Sequence, residues 1–243
     1  MGQPSARLCA TFYKTVRKYK VRRVVDISCA ANVGWMRAVV ARLGSELWGF
    51  SYVCMAAEAA ETASNEAAFA AAAAEQGRAE AGSALAGAPP AVPSWVTFET
   101  RRWWKEGFGG TPPAEAGSTA AASAVAASAA AAADPAGGGG GTGDVGLVFA
   151  WDVLAHTPYG RVWGFFVRAR VDGVGLVLFD NYPGLVNNPS PRRRYLNVRK
   201  HPFRFGQATE VVQNVTEGSG EAVRRQMLLY KVSTLPELLT GKG

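Results

Sequence analysis

The sequence predicts an α/β protein built on a mostly parallel sheet, on three observations. Short apolar runs alternate with helix-patterned segments along most of the chain, the signature of successive βαβ units. The runs are continuous and rich in Val, Leu and Phe, as strands covered on both faces are. The last two runs are separated only by a turn-like Gly218-Ser219-Gly220 and read as an antiparallel pair. With 243 residues, 48% hydrophobic and 10% aromatic, the chain can bury one full core, so a single domain over 1–243 is expected, with the surplus length in insertions.

The first 25 residues are basic and acid-free, and Phe12, Tyr13, Val16 and Tyr19 give them helical spacing. Residues 23–27 (Arg-Val-Val-Asp-Ile) form a buried first strand, and 34–43 a helix with Val39, Val40 and Leu43 facing inward. A second strand covers 50–55. The Ala-rich segment 56–91 follows, in which Ala and Glu favour one long, mostly exposed helix from 57 to about 81, stopped by Gly-Ala-Pro-Pro at 87–90. Residues 95–99 form a third strand. The segment 111–143 has Pro112, Pro113, no apolar period and five consecutive glycines; it cannot offset its chain entropy by burial and reads as a disordered, low-complexity insertion. A fourth strand at 145–150, a helix at 160–170 and a fifth strand at 174–179 follow, and the closing pair occupies 210–215 and 226–232.

The three cysteines, Cys9, Cys29 and Cys54, have no metal-ligand spacing and read as reduced, buried thiols in a cytosol-like compartment. Outside the Ala/Gly tracts no apolar run is long enough to span a membrane, and the start lacks the apolar stretch of a secretory signal. A cytoplasmic protein is expected, with an organellar address left open by the basic start. The net charge of +7 is uneven, since Arg7, Lys14, Arg17, Lys18, Lys20, Arg22 and Arg23 all precede the first acid, Asp26. Such an arm suits nucleic acid, an acidic protein or an anionic membrane surface, or is simply a solvated helix face.

Several local patterns carry a resemblance. Val24-Val25-Asp26 looks like the end of a first strand, 50–55 like a second strand leading to a ribose site, 144–156 (Asp-Val-Gly-Leu-Val-Phe-Ala-Trp-Asp-Val-Leu-Ala-His) like a fourth strand and the start of its helix, and 176–182 like a fifth strand with its substrate-facing loop. Together with the strand pattern, the chain resembles the class I S-adenosylmethionine-dependent methyltransferases. The resemblance implies a Rossmann-like three-layer αβα sandwich and a mostly parallel seven-stranded sheet with an antiparallel C-terminal strand pair. It also implies S-adenosyl-L-methionine as cofactor and a methyl group transferred to an O or N atom of an acceptor.

In that family the cofactor lies across the carboxyl ends of the strands, at the topological switch point. The resemblance places cofactor contacts at Asp26, Ser28, Ala30, Asn32 and Gly34 after the first strand, Ala56 and Glu58 after the second, Glu99 and Arg101 around the end of the third, and Trp151 after the fourth. All three glycines of the family's Asp-x-Gly-x-Gly-x-Gly turn are replaced, by Ser28, Ala30 and Asn32. The expected acids near 56 and 101 are Ala56 and Arg101, with Glu58 two residues late and Glu99 two residues early. Two lost hydrogen-bonded pairs, at roughly 1–3 kcal/mol each, would weaken cofactor binding about a hundredfold or more.

The acceptor side is better furnished. Asp152 and His156 stand at an i, i+4 step, where a carboxylate orienting an imidazole makes a general base; an Asp helix cap and a packed His are the alternative. Asp180, Asn181 and Tyr182 either line the substrate mouth or form a turn ahead of Pro183. Arg192 and Arg193 open the most distinctive polar stretch, 192–205, where seven basic or His residues and three aromatics suit a phosphate, an unstacked base, an acidic protein or plain solvent. The reading that competes with an active enzyme is a methyltransferase-like binding or scaffold protein. A nicotinamide dehydrogenase and a P-loop enzyme are disfavoured by the absence of their glycine motifs, and a metalloenzyme by the lack of a ligand cluster.

Overall fold

In a computed structural model of the chain, the described residues are 6–80, 92–108, 146–184, 187, 195–217 and 223–236. The expected insertion at 111–143, the linker half of 56–91, and Arg192 and Arg193 lie outside them.

Helix α1 (Ala6–Lys18) buries Leu8, Phe12 and Val16 at a four-residue step, as the apolar spacing requires. The strands are β1 (Arg23–Asp26), β2 (Ser51–Ala56), β3 (Val96–Thr100), β4 (Leu147–Ala150), β5 (Leu176–Asn181), β6 (Glu210–Glu217) and β7 (Val223–Lys231). The connecting helices are α2 (Cys29–Glu46), α3 (Ala59–Glu80), α4 (Trp103–Glu106) and α5 (Tyr159–Val171). One seven-stranded sheet runs in the order β3-β2-β1-β4-β5-β7-β6, parallel from β3 to β5. β7 runs antiparallel to both β5 and β6. Successive crossovers leave β1 in opposite directions along the sheet, which puts the topological switch point between β1 and β4.

Both faces of the sheet are covered. Val24, Tyr52 and Cys54 pack with α1, α2 and Phe69 of α3 on one side, and Val25, Ile27, Val53 and Met55 pack with α5 on the other. This two-residue alternation is why the strands read as continuous apolar runs. The second core is strongly aromatic: Phe166 stands 4.8 Å from Phe205 and 5.3 Å from Phe179 between ring centroids, and Tyr230 stacks on Phe179 at 5.8 Å.

Two expectations are corrected. α2 begins at Cys29, five residues before the expected start, because Ser28, Ala30 and Asn32 impose no positive φ and the backbone enters the right-handed helix at once. Cys29 and Cys54 are not free thiols but a disulfide: β1 pairs with β2 so that Asp26 lies beside Cys54, and the short turn after Asp26 returns Cys29 over it. Cys9 is free and half-buried. The Trp103-Trp104 segment forms the four-residue α4, too short for any periodicity to announce it.

Candidate functional site

Asp26 ends β1 with no exposure to solvent. Its Oδ1 accepts from the Ser28 backbone N–H at 2.7 Å and the Ser28 hydroxyl at 2.5 Å, and its Oδ2 from the Tyr52 hydroxyl at 2.7 Å. Burial nevertheless dominates these three donors and pushes the carboxyl up to about 6. The same burial, reinforced by the facing carboxylate, holds the Tyr52 phenol well above its ordinary value. The Trp151 N–H after β4 donates to Ser28 Oγ at 3.0 Å, so Ser28 ties the two strand ends together across the switch point. Ser28 makes no side-chain cap hydrogen bond on α2. Ala30, Asn32 and Gly34 fall within the opening turns of α2, so the expected turn is a helix start.

The adjoining strand ends depart further from the family pattern. Ala56 is the buried last residue of β2, and its carbonyl accepts from the Arg101 N–H at 2.7 Å. Glu58 stands exposed just before α3. Arg101 is buried where an acid was expected, and its guanidinium pairs with Glu99 at 3.3 Å. A buried cation has drawn in the one acid of β3.

Beyond β4 the chain turns sharply. Asp152 has φ +57°, a 3-10 turn covers Leu154–His156, and α5 begins only at Tyr159. The Asp152 and His156 step is therefore not an α-helical one. Nε2 of His156 lies 3.7 Å from Asp152 Oδ1, an ion-pair separation beyond hydrogen-bond length, and the imidazole is about half exposed. The group that holds Asp152 is Arg225 of β7, whose Nη2 reaches its Oδ1 at 3.1 Å. Arg225 also lies 3.3 Å from Asp180 Oδ2, and its guanidinium sits 3.6 Å from the centroid of the Trp151 ring and 5.5 Å from that of Tyr182. The Asp152 N–H donates to Asp180 Oδ1 at 2.8 Å. Burial raises the Asp180 carboxyl above its ordinary value, and Arg225 opposes that rise.

Asp180 and Asn181 belong to β5 and Tyr182 follows it; all three are buried, so the open turn considered for them is not formed. Asn181 Oδ1 accepts from the Val198 N–H at 2.9 Å, and the Tyr182 N–H donates to the Leu196 carbonyl at 2.8 Å, which docks the following loop onto the strand end. Asn187 supports the same loop, donating to the Asn197 and His201 carbonyls at 2.8 and 2.7 Å and accepting from the Asn197 N–H at 2.7 Å. Arg225 is the functional candidate that sequence reasoning missed. The closing strand was expected to begin at Gln226, three residues after its observed start at Val223, and so excluded Arg225, although an arginine beside an otherwise apolar strand was a signal of a buried partner.

No family model matches the chain, and no curated protein matches it in sequence. Solved structures do align with it. PigF with SAH does so at 10% identity, over 93% of this chain and 55% of that one, with a TM-score of 0.47. A putative O-methyltransferase from Nostoc punctiforme aligns at 12% identity over 91% and 56%, TM-score 0.46. Magnesium protoporphyrin IX methyltransferase from Synechocystis with bound SAM aligns at 10% identity over 95% and 86%, TM-score 0.37. The chain thus spans little more than half the length of the first two. No described helix is long and apolar enough to cross a membrane. Its own strand order, with five parallel strands and a reversed β7 inserted between β5 and β6, gives the chain the class I S-adenosylmethionine-dependent methyltransferase fold.

Proposed function

We propose that the chain is an S-adenosylmethionine-dependent methyltransferase that passes a methyl group to an O or N atom of a small-molecule or macromolecular acceptor. The observation that carries this reading is the convergence of Asp26, Ser28, Trp151, Asp152 and Asp180 at the carboxyl ends of β1, β4 and β5, around the switch point and beside an α2 N-terminus that Ser28 leaves uncapped. Uncapped helical N–H groups suit a carboxylate such as the amino-acid end of the cofactor, and the exposed Glu58 suits ribose hydroxyls. The residues therefore fit that half of the group, while Ala56 and the Arg101–Glu99 pair leave the adenine end without its usual acid. The bound group supplies an electrophilic sulfonium methyl.

The chain's own work is to bind, orient and take a proton. His156, exposed at the rim, is the base for the acceptor's O–H or N–H, and Asp152 stabilises the imidazolium that results. Arg225 sets the position of Asp152 and Trp151 from beneath.

The second reading, a methyltransferase-like scaffold, is favoured by one observation: the buried Arg101 already neutralised by Glu99 at the adenine end. Titration calorimetry of the full chain with S-adenosylmethionine and S-adenosylhomocysteine separates the two. Micromolar binding supports the enzyme and calls for an acceptor screen. Absence of binding to folded protein supports the scaffold.

A further inference from the structure

The amino-terminal edge of the sheet, opposite the candidate site, is furnished independently of it. A cavity of about 430 Å³ opens there between the starts of β1, β4 and β5 and the end of β7, and Lys20, Arg22, Arg23 and Lys231 line it over a floor that includes Gly146 and Gly175. None of these four cations forms an ion pair with a described residue, whereas the acids near this edge among the described residues are engaged. Glu46 is held by Arg17 and Arg42, Asp172 by Arg168, and Glu210 by Lys18. The carboxyl ends of α1 and α5 point to this edge and carry about half a negative charge each, far less than four full positive ones.

Apolar groups flank the cations. Trp48 is 87% exposed and Val171 68%, and with Val211 they are the large apolar side chains that stand exposed among the described residues. Trp48 lies in the turn that leads into β2, where the Ser51 N–H donates to the Arg22 carbonyl at 2.7 Å. Val171 ends α5, four residues before Gly175 of the cavity floor. An isolated exposed apolar residue means little, but an exposed indole and valine at the same edge as a basic cavity whose cations have no ion-pair partner among the described residues are what a peripheral lipid-binding face requires.

We propose that this edge docks on an anionic phospholipid surface, with a headgroup phosphate in the cavity and Trp48 and Val171 in the interface. Nothing in this placement depends on the cofactor.

The test is co-sedimentation of the full chain with phosphatidylcholine vesicles, with and without phosphatidylglycerol, alongside calorimetric titration with inorganic pyrophosphate. The expected result is retention on the phosphatidylglycerol vesicles only, released as added salt shortens the screening length. Arg22→Gln and Lys231→Gln should each lower partitioning about five-fold. Trp48→Ser should lower it several-fold without altering the salt dependence. All three side chains are exposed, so unchanged circular dichroism is expected to certify the fold. As a check on the unaltered surface charge, the blue shift of tryptophan fluorescence on vesicle addition should shrink in Trp48→Phe. Equal retention on both vesicle types, no retention, or retention untouched by the Gln variants overturns the proposal. Tight pyrophosphate binding without vesicle retention also overturns it, in favour of a soluble phosphate ligand.

Discussion

Asp26 is a carboxylate with good partners and no water, and the balance runs against its charge. Its folded value, about 6, lies above the ordinary 3.8, so between those values the folded chain binds more protons than the unfolded one. The stability this group confers is complete below 3.8 and is lost as the pH rises through about 6, on the order of 3 kcal/mol in all. Urea unfolding of the wild type and Asp26→Asn across that range should show this loss in the difference between the two proteins; parallel curves would contradict it. Arg225 faces two carboxylates, one of them fully buried, so Arg225→Ala should cost about 3–5 kcal/mol at neutral pH by leaving Asp180 unpaired. The penalty should shrink in acid, because Asp180 protonates more readily than an ordinary Asp. If the enzyme reading holds, His156→Ala should lower kcat by roughly 10²–10⁴ with little change in cofactor affinity, as expected for a lost general base. Asp26 was legible in the sequence because a strand-ending acid is a local pattern. Arg225 was not, since its partners lie 73 and 45 residues away along the chain and meet it only through the β5–β7 register.

At the scale of elements, the disulfide closes a segment containing all of α2, with a sequence separation of 25 residues. Reducing it should cost about 3 kcal/mol through the greater freedom of the unfolded chain, read as a drop in Tm with a dithiol reductant that a Cys29→Ala/Cys54→Ala double variant does not show. Spacing alone could not pair these cysteines, because what joins them is the alignment of Asp26 with Cys54 in neighbouring strands. The helices were largely foreseeable: α3 and α5 lie within two residues of their expected limits, since Ala/Glu propensity and a buried stripe are properties of contiguous sequence. The stretch between β4 and α5 was not, because a left-handed Asp152 followed by a 3-10 turn answers to Asp180 and Arg225 rather than to any periodicity. Removing the Asn187 side chain, which holds the 195–201 backbone from three directions, should speed amide exchange at Asn197 while leaving exchange in β5 unchanged.

For the whole molecule, the sheet divides the work between its two edges: carboxylates and the α2 N-terminus gather at the carboxyl ends of the strands, and cations with no ion-pair partner among the described residues gather with Trp48 at the amino ends. The aromatic core on the α5 side holds both β5 and β7 in place behind the site, so Phe205→Ala, which removes contacts to Phe166, Trp163 and Tyr230, should cost about 3–5 kcal/mol in urea unfolding. By itself the sequence determined the α/β class, seven strands in their chain order, the long Ala-rich helix and the absence of glycine at positions 28, 30 and 32 after the first strand, because each depends on residues close together along the chain. The tertiary structure alone decided the strand order in space, the Cys29–Cys54 bond, the Asp152–Arg225–Asp180 cluster and the basic cavity. These depend on which distant segments become neighbours, and only register and packing set that.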